Sequence, residues 1–151
     1  MPDRIIRRLN GPRGSVLLAA AAIAAVHVGA YIDITDDVTL PSGLAALDAV
    51  VPLPVYAVLW GIAAVLAALG SWQTFARRQR DHFDAWGFGL VAGMLTIWGL
   101  TYLGGWAYTW AVGTPNRQWL FAVLYLAVAV MIGASARMTN PGSSSVRTGG
   151  A

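Results

Sequence analysis

A chain of 151 residues that is 57% hydrophobic and 11% charged, with a mean hydropathy of +0.59, carries more apolar surface than one soluble core of that size can hide. The net charge of +3 is too small and too dispersed to argue for a nucleic-acid partner. The absence of cysteine excludes disulfides, thiolate metal sites and cysteine nucleophiles. Every base is arginine and every acid is aspartate, a bias that points to a GC-rich genome rather than to a structural demand.

Charged residues divide the sequence into four uncharged stretches, and an ionised side chain at a bilayer centre costs roughly 3 kcal/mol on the mildest scale. Residues 1–13 form an arginine-rich leader, with Arg4, Arg7, Arg8 and Arg13 against Asp3. The first predicted span, 14–32, is long enough at about 1.5 Å per residue to cross a hydrocarbon core of roughly 30 Å. A cleaved secretory signal is its rival, because Val28-Gly29-Ala30 resembles a cleavage site; a retained span is the favoured reading. Residues 33–49 form an acidic outer loop with Asp33, Asp36, Asp37 and Asp48. From Pro41 to Val51 the pattern predicts a short interfacial helix capped by Ser42, with Leu44, Leu47 and Val51 on its apolar side.

The second span is predicted over 50–70, with Pro52 and Pro54 in the first turn, where a missing amide donor does little harm. A basic loop, 71–84, carries Arg77, Arg78 and Arg80 against Asp81 and Asp84. The third span is predicted over 85–107 and is followed by an outer loop, 108–117, broken by Gly113, Thr114 and Pro115. The fourth span covers 118–136. The tail, 137–151, holds Arg137 and Arg147, and its Gly- and Ser-rich end has nothing to bury and is predicted to be disordered.

Positive residues flanking spans are retained in the cytoplasm, so the arginines of the leader, second loop and tail set an N-in/C-in threading, with Arg117 the one base left outside. The predicted fold class is all-α: a polytopic four-helix transmembrane bundle in the bacterial cytoplasmic membrane. Tyr31, Tyr56, Trp106, Tyr108, Trp110 and Trp119 fall at the outer ends of the spans, and Trp72 and Trp86 at the inner ends, as interfacial aromatics do. Trp60 and Trp98 fall near mid-span and are expected to pack between helices.

Chemistry inside a membrane needs ionisable groups within the spans, and His27 is the one the threading provides. A proton relay would need successive titratable partners and a bis-histidine haem a second buried histidine, whereas His82 falls in the cytoplasmic loop. The favoured reading is a neutral histidine hydrogen-bonded to a neighbouring helix, with Thr101 and Tyr102 as the expected partners by depth. The outer aspartates are expected to set topology rather than to gather a divalent cation. Small residues four apart let backbones approach closely: Gly89 and Gly93, Ala57 and Gly61, Ala64 and Ala68, and Ala129 and Gly133. They point first to packing within one bundle and second to self-association. Segments from Leu59 and Ile97 share Trp-Gly and a second Trp twelve positions on, a loose match of the kind an inverted repeat produces.

DAWGFGLVAG from Asp84, TIWGLTYLGGW from Thr96 and RQWLFAVLYLAVAV from Arg117 resemble small four-span membrane proteins encoded by actinobacterial phages, over Asp84 to Ala136. The resemblance implies a place among lysis or tail genes and a holin-like role, and brings no catalytic residues. The function expected is non-enzymatic, without cofactor or metal: a holin-like or lysis-accessory protein acting by oligomerisation. A membrane-anchored binding or superinfection-exclusion module and an oligomeric channel or carrier subunit are the alternatives. With no carboxylate expected inside the spans, the chain does not look like a small proton-coupled exporter. The partners expected are the lipid bilayer and either further copies or another membrane or phage protein.

Overall fold

The computed structural model describes residues 11–32, 40–72, 77–114 and 116–137. Among them are five helices and no strand: α1 (Gly11–Ile32), α2 (Ser42–Asp48), α3 (Leu53–Ser71), α4 (Arg77–Ala111) and α5 (Gln118–Ser135). Four are long and apolar enough to cross a membrane, in α4 the part His82–Ala111. A hydrocarbon core offers the backbone no water, and a helix satisfies its peptide groups internally. The leader arginines Arg4, Arg7 and Arg8, the aspartates Asp33, Asp36 and Asp37, the side chains of Arg77, Arg78 and Arg80, and the tail from Met138 lie outside the described residues.

Local chemistry accounts for the helix ends. At the start of α3 the Leu53 amide donates to Asp48 Oδ1 at 2.8 Å. Pro54 has no amide to satisfy, and the Val55 amide reaches the Pro52 carbonyl at 2.9 Å. Asp48, read from sequence as a topology acid, therefore caps the next span. At the end of α4, Gly113 takes a φ of +77°, the Gly113 amide donates to Trp110 O at 3.2 Å and the Thr114 amide to Thr109 O at 2.9 Å. This is the paired closure of a left-handed helix stop. Asn116 Oδ1 then accepts the Gln118 amide at 3.0 Å to open α5.

Three expectations are corrected. The helix of the third span, α4, runs from Arg77 to Ala111 rather than over 85–107, because the charged segment before residue 85 contains neither Gly nor Pro to stop a helix and water tolerates its charges. The short helix forms, but Pro41 stands at its N-cap without a side-chain bond. Ser42 instead shares its one hydroxyl proton between Gly105 O and Gln118 Oε1, each at 3.3 Å, so α2 is docked on α4 rather than lying free in the interface. Tyr31 is buried and Tyr56 half-buried against Trp98; both serve the core and not an interfacial belt.

The helices thread back and forth. Arg13, Gly70 and Asp84 meet at one end of the bundle, and Ser42, Gly105 and Gln118 at the other. The largest interfaces are α1 with α3, α4 with α5, and α3 with α4. Glycine makes the tightest of them possible. A Cβ on Gly87 would stand 2.8 Å from Ala67 Cα, one on Gly70 2.9 Å from Asp84 Cα, and one on Gly99 2.7 Å from Leu126 Cγ. Of the small residues singled out by sequence, Ala57 and Ala129 are buried in the core. Gly61 has only Val28 Cγ2 at 3.8 Å, and a Cβ at Gly89, Gly93 or Gly133 would meet nothing within 4 Å. Packing within the chain thus uses other glycines than the predicted GxxxG, because Gly89 and Gly93 lie on the outward face of α4.

Gly87 and Gly89 form a matched pair on one helix. Gly87→Ala must push the backbones of α3 and α4 apart and is expected to cost about 1–3 kcal/mol, read as a lower melting temperature in detergent. Gly89→Ala is expected to leave that temperature unchanged or to raise it through helix propensity.

Candidate functional site

Within the bundle His27 meets the rings of Tyr31, Trp60 and Tyr125, and Trp98 of the remaining span joins the cluster through Tyr31 and Trp60. The His27 ring stacks on Trp60 with centroids 4.2 Å apart and an interplanar angle of 21°. Trp60 meets Trp98 edge-on at 5.5 Å, and both indoles are fully buried. Their mid-span packing between helices is as the sequence predicts. Trp98 Nε1 donates to the Tyr31 hydroxyl, tying α4 to α1. Tyr102 stacks on Tyr125 at 5.6 Å with an angle of 11°, extending the cluster to α5.

Both nitrogens of His27 are engaged. Nδ1 lies 2.8 Å from the Ile23 carbonyl oxygen, which only accepts, so Nδ1 carries the proton. In the neutral ring Nε2 then accepts from the Tyr125 hydroxyl at 2.9 Å. The histidine is hydrogen-bonded to a neighbouring helix, but the partner is Tyr125 of α5 and not Thr101 or Tyr102. Thr101 directs its hydroxyl back to its own helix, at the Ile97 carbonyl, 2.8 Å away; Tyr102 reaches His27 only through the Tyr125 ring. Tyr125 is the residue that sequence reasoning missed. Its depth, eight residues into the fourth span, was the available signal.

A second polar cluster lies at the opposite end from α2. Arg13 Nη2 and Asp84 Oδ2 are 3.1 Å apart, with side-chain exposures of 23% and 4%. The guanidinium also sits 5.4 Å from the centroid of the Phe88 ring. Sequence reading placed Asp84 in a wet loop; the extension of α4 past it and its closeness to Gly70 bury the carboxylate instead. The expectation that no carboxylate lies inside the bundle is thereby corrected. No sequence signal marks this burial, which arises from the crossing of α3 and α4.

Chemically, the His27 cluster couples four helices through rings and two hydrogen bonds, while the ion pair holds the first span to the third. Among the described residues no group of three or more His, Cys, Asp or Glu is placed to hold a metal ion. No protein-family model, curated protein or solved structure matches the chain.

Tyr125→Phe removes the partner of His27 and is expected to cost about 1 kcal/mol of bundle stability. Asp84→Ala leaves Arg13 without its carboxylate and is expected to cost about 3 kcal/mol, whereas the joint replacement Arg13→Met with Asp84→Leu recovers most of that loss. Denaturant unfolding in micelles measures all three.

Proposed function

We propose that this chain is a holin-like or lysis-accessory protein of the bacterial cytoplasmic membrane, non-enzymatic, with both termini in the cytoplasm, acting by association of its copies. The observation that carries the reading is the outward stripe of Gly89 and Gly93, where a Cβ meets nothing within 4 Å while the interior is filled by Trp60, Trp98 and Phe88. A filled interior favours action between copies over conduction through one. Small residues on a lipid-facing helix let a second backbone approach closely. The arginine distribution supports the orientation.

A second reading is a binding or exclusion module, favoured by α2, which the Ser42 hydrogen bonds hold as a preformed surface at one end of the bundle. A channel or carrier built from several copies is the third; the buried Asp84 is held by Arg13 rather than presented to a cavity.

Tightly controlled expression in a bacterium, with membrane potential and viability recorded together, separates these readings. The lysis reading expects both to collapse, with a delayed onset and fewer cross-linked oligomers for the pair Gly89→Leu and Gly93→Leu. Intact potential and growth at full expression would reject it in favour of the binding module. Selective conductance in reconstituted liposomes without lysis would favour the channel.

A further inference from the structure

Between α2 and α4 runs an open groove of about 530 Å³. Gly43, Leu47 and Val50 form one wall, and Leu100, Gly104 and Tyr108 the other. Glycine is required for its shape: a Cβ on Gly105 would stand 2.6 Å from the Gly43 amide nitrogen, and one on Gly43 would overlap the Thr101 carbonyl. The two helices therefore touch backbone to backbone at the floor and diverge above it.

The depth of the groove follows from helical rise. The apolar part of α4, His82–Ala111, has its midpoint between Thr96 and Ile97. At about 1.5 Å per residue, Leu100 lies about 5 Å and Tyr108 about 17 Å from that midpoint, against a hydrocarbon half-thickness of about 15 Å. The groove thus extends from within the acyl region to the headgroup boundary. Below Tyr108 its side-chain hydroxyl protons are already committed. The Ser42 hydroxyl is taken by Gly105 O and Gln118 Oε1, each at 3.3 Å, and the Thr101 hydroxyl by Ile97 O at 2.8 Å. Below Tyr108 a polar solute would find no free hydroxyl proton along the walls, while a hydrocarbon chain needs no partner. At the mouth Tyr108 is 64% exposed, at the level where phospholipid ester and phosphate oxygens accept hydrogen bonds.

We propose that this groove is a binding site for one acyl chain of a membrane phospholipid from the leaflet on the α2 side. The polar end of the lipid meets the Tyr108 hydroxyl, and α2 forms the far wall that turns passing lipid contact into a saturable site. The groove lies about two turns beyond Gly93 on the same side of α4, so cross-linking is measured beside bound lipid: lost lipid with unchanged oligomers marks the groove, and loss of both marks self-association.

Gly104 provides the test, because a Cβ there meets nothing within 4 Å: Gly104→Leu fills the groove without disturbing a helix contact. Gly29, near the end of α1 that lies on the α2 side, is equally open and supplies the control Gly29→Leu. Leu100→Trp fills the groove from its inner end and serves if Gly104→Leu reaches membranes poorly. The full chain is extracted in mild detergent and its bound lipid counted by native mass spectrometry. One phospholipid per chain is expected for the unsubstituted protein and for Gly29→Leu, and roughly fivefold or greater loss for the two filled variants. A lipid-free unsubstituted protein, equal retention by the filled variants, or an isoprenoid or a second copy held there in place of a phospholipid would overturn the proposal.

Discussion

At membrane depth a polar group has no water to fall back on, so each one must find its partner within the chain or among its copies. In this molecule that constraint falls hardest on His27. Its Nδ1 is satisfied by the preceding turn of α1, so only Nε2 reaches across the bundle, to Tyr125. This bond and the stack on Trp60 both belong to the inward face of α1. Once His27 faces inward, Tyr31, one turn on, must do so too, and its hydroxyl receives Trp98 Nε1. Ala20, Ala21 and Ala24 are buried on the same helix. Serine and threonine elsewhere resolve the same constraint locally, by bonding carbonyls three or four residues back, as Thr96, Ser71 and Ser135 do.

With the polar groups settled except the buried Trp60 Nε1, which has no hydrogen-bond partner, association between the spans depends on contact, since lipid tails are as apolar as leucine. Two kinds of contact divide the bundle. In the middle, large flat rings fill the space, with His27, Trp60 and Trp98 packed face and edge. Toward the ends, backbone approaches backbone at glycines, Gly70 and Gly87 at one and Gly105 with Gly43 at the other. The bundle is wide where indoles must fit and narrow where there is no side chain at all. That alternation leaves a groove between α2 and α4 and keeps the interior closed.

The two ends differ chemically. One is fastened by charge, Arg13 with Asp84 beneath the Phe88 ring, a pairing that resists separation because either partner alone would be a poorly solvated ion. The other is fastened by neutral hydrogen bonds from Ser42 and by the carboxylate of Asp48 at the start of α3. In the connection between α2 and α3 the Val50 and Val51 amides donate to Leu47 O and the Leu53 amide to Asp48 Oδ1.

Hydropathy and charge by themselves determined the number of spans, because the cost of a charge in hydrocarbon is a property of each residue and needs no knowledge of its neighbours. The same holds for the all-helical class and for the proline-tolerant start of α3, both of which rest on local chemistry. Mid-span Trp60 and Trp98 were legible as core residues from depth alone. Depth does not give the rotation of one helix against another, however. Only the tertiary structure decided that Tyr125 rather than Thr101 or Tyr102 meets His27, that Ser42 crosses to Gly105, that Asp84 is buried beside Gly70, and that Gly89 and Gly93 face outward. A nearly uniform apolar helix has no polar face to reveal which side turns inward, so those choices belong to the fit of rings and glycines between helices, which no single segment contains.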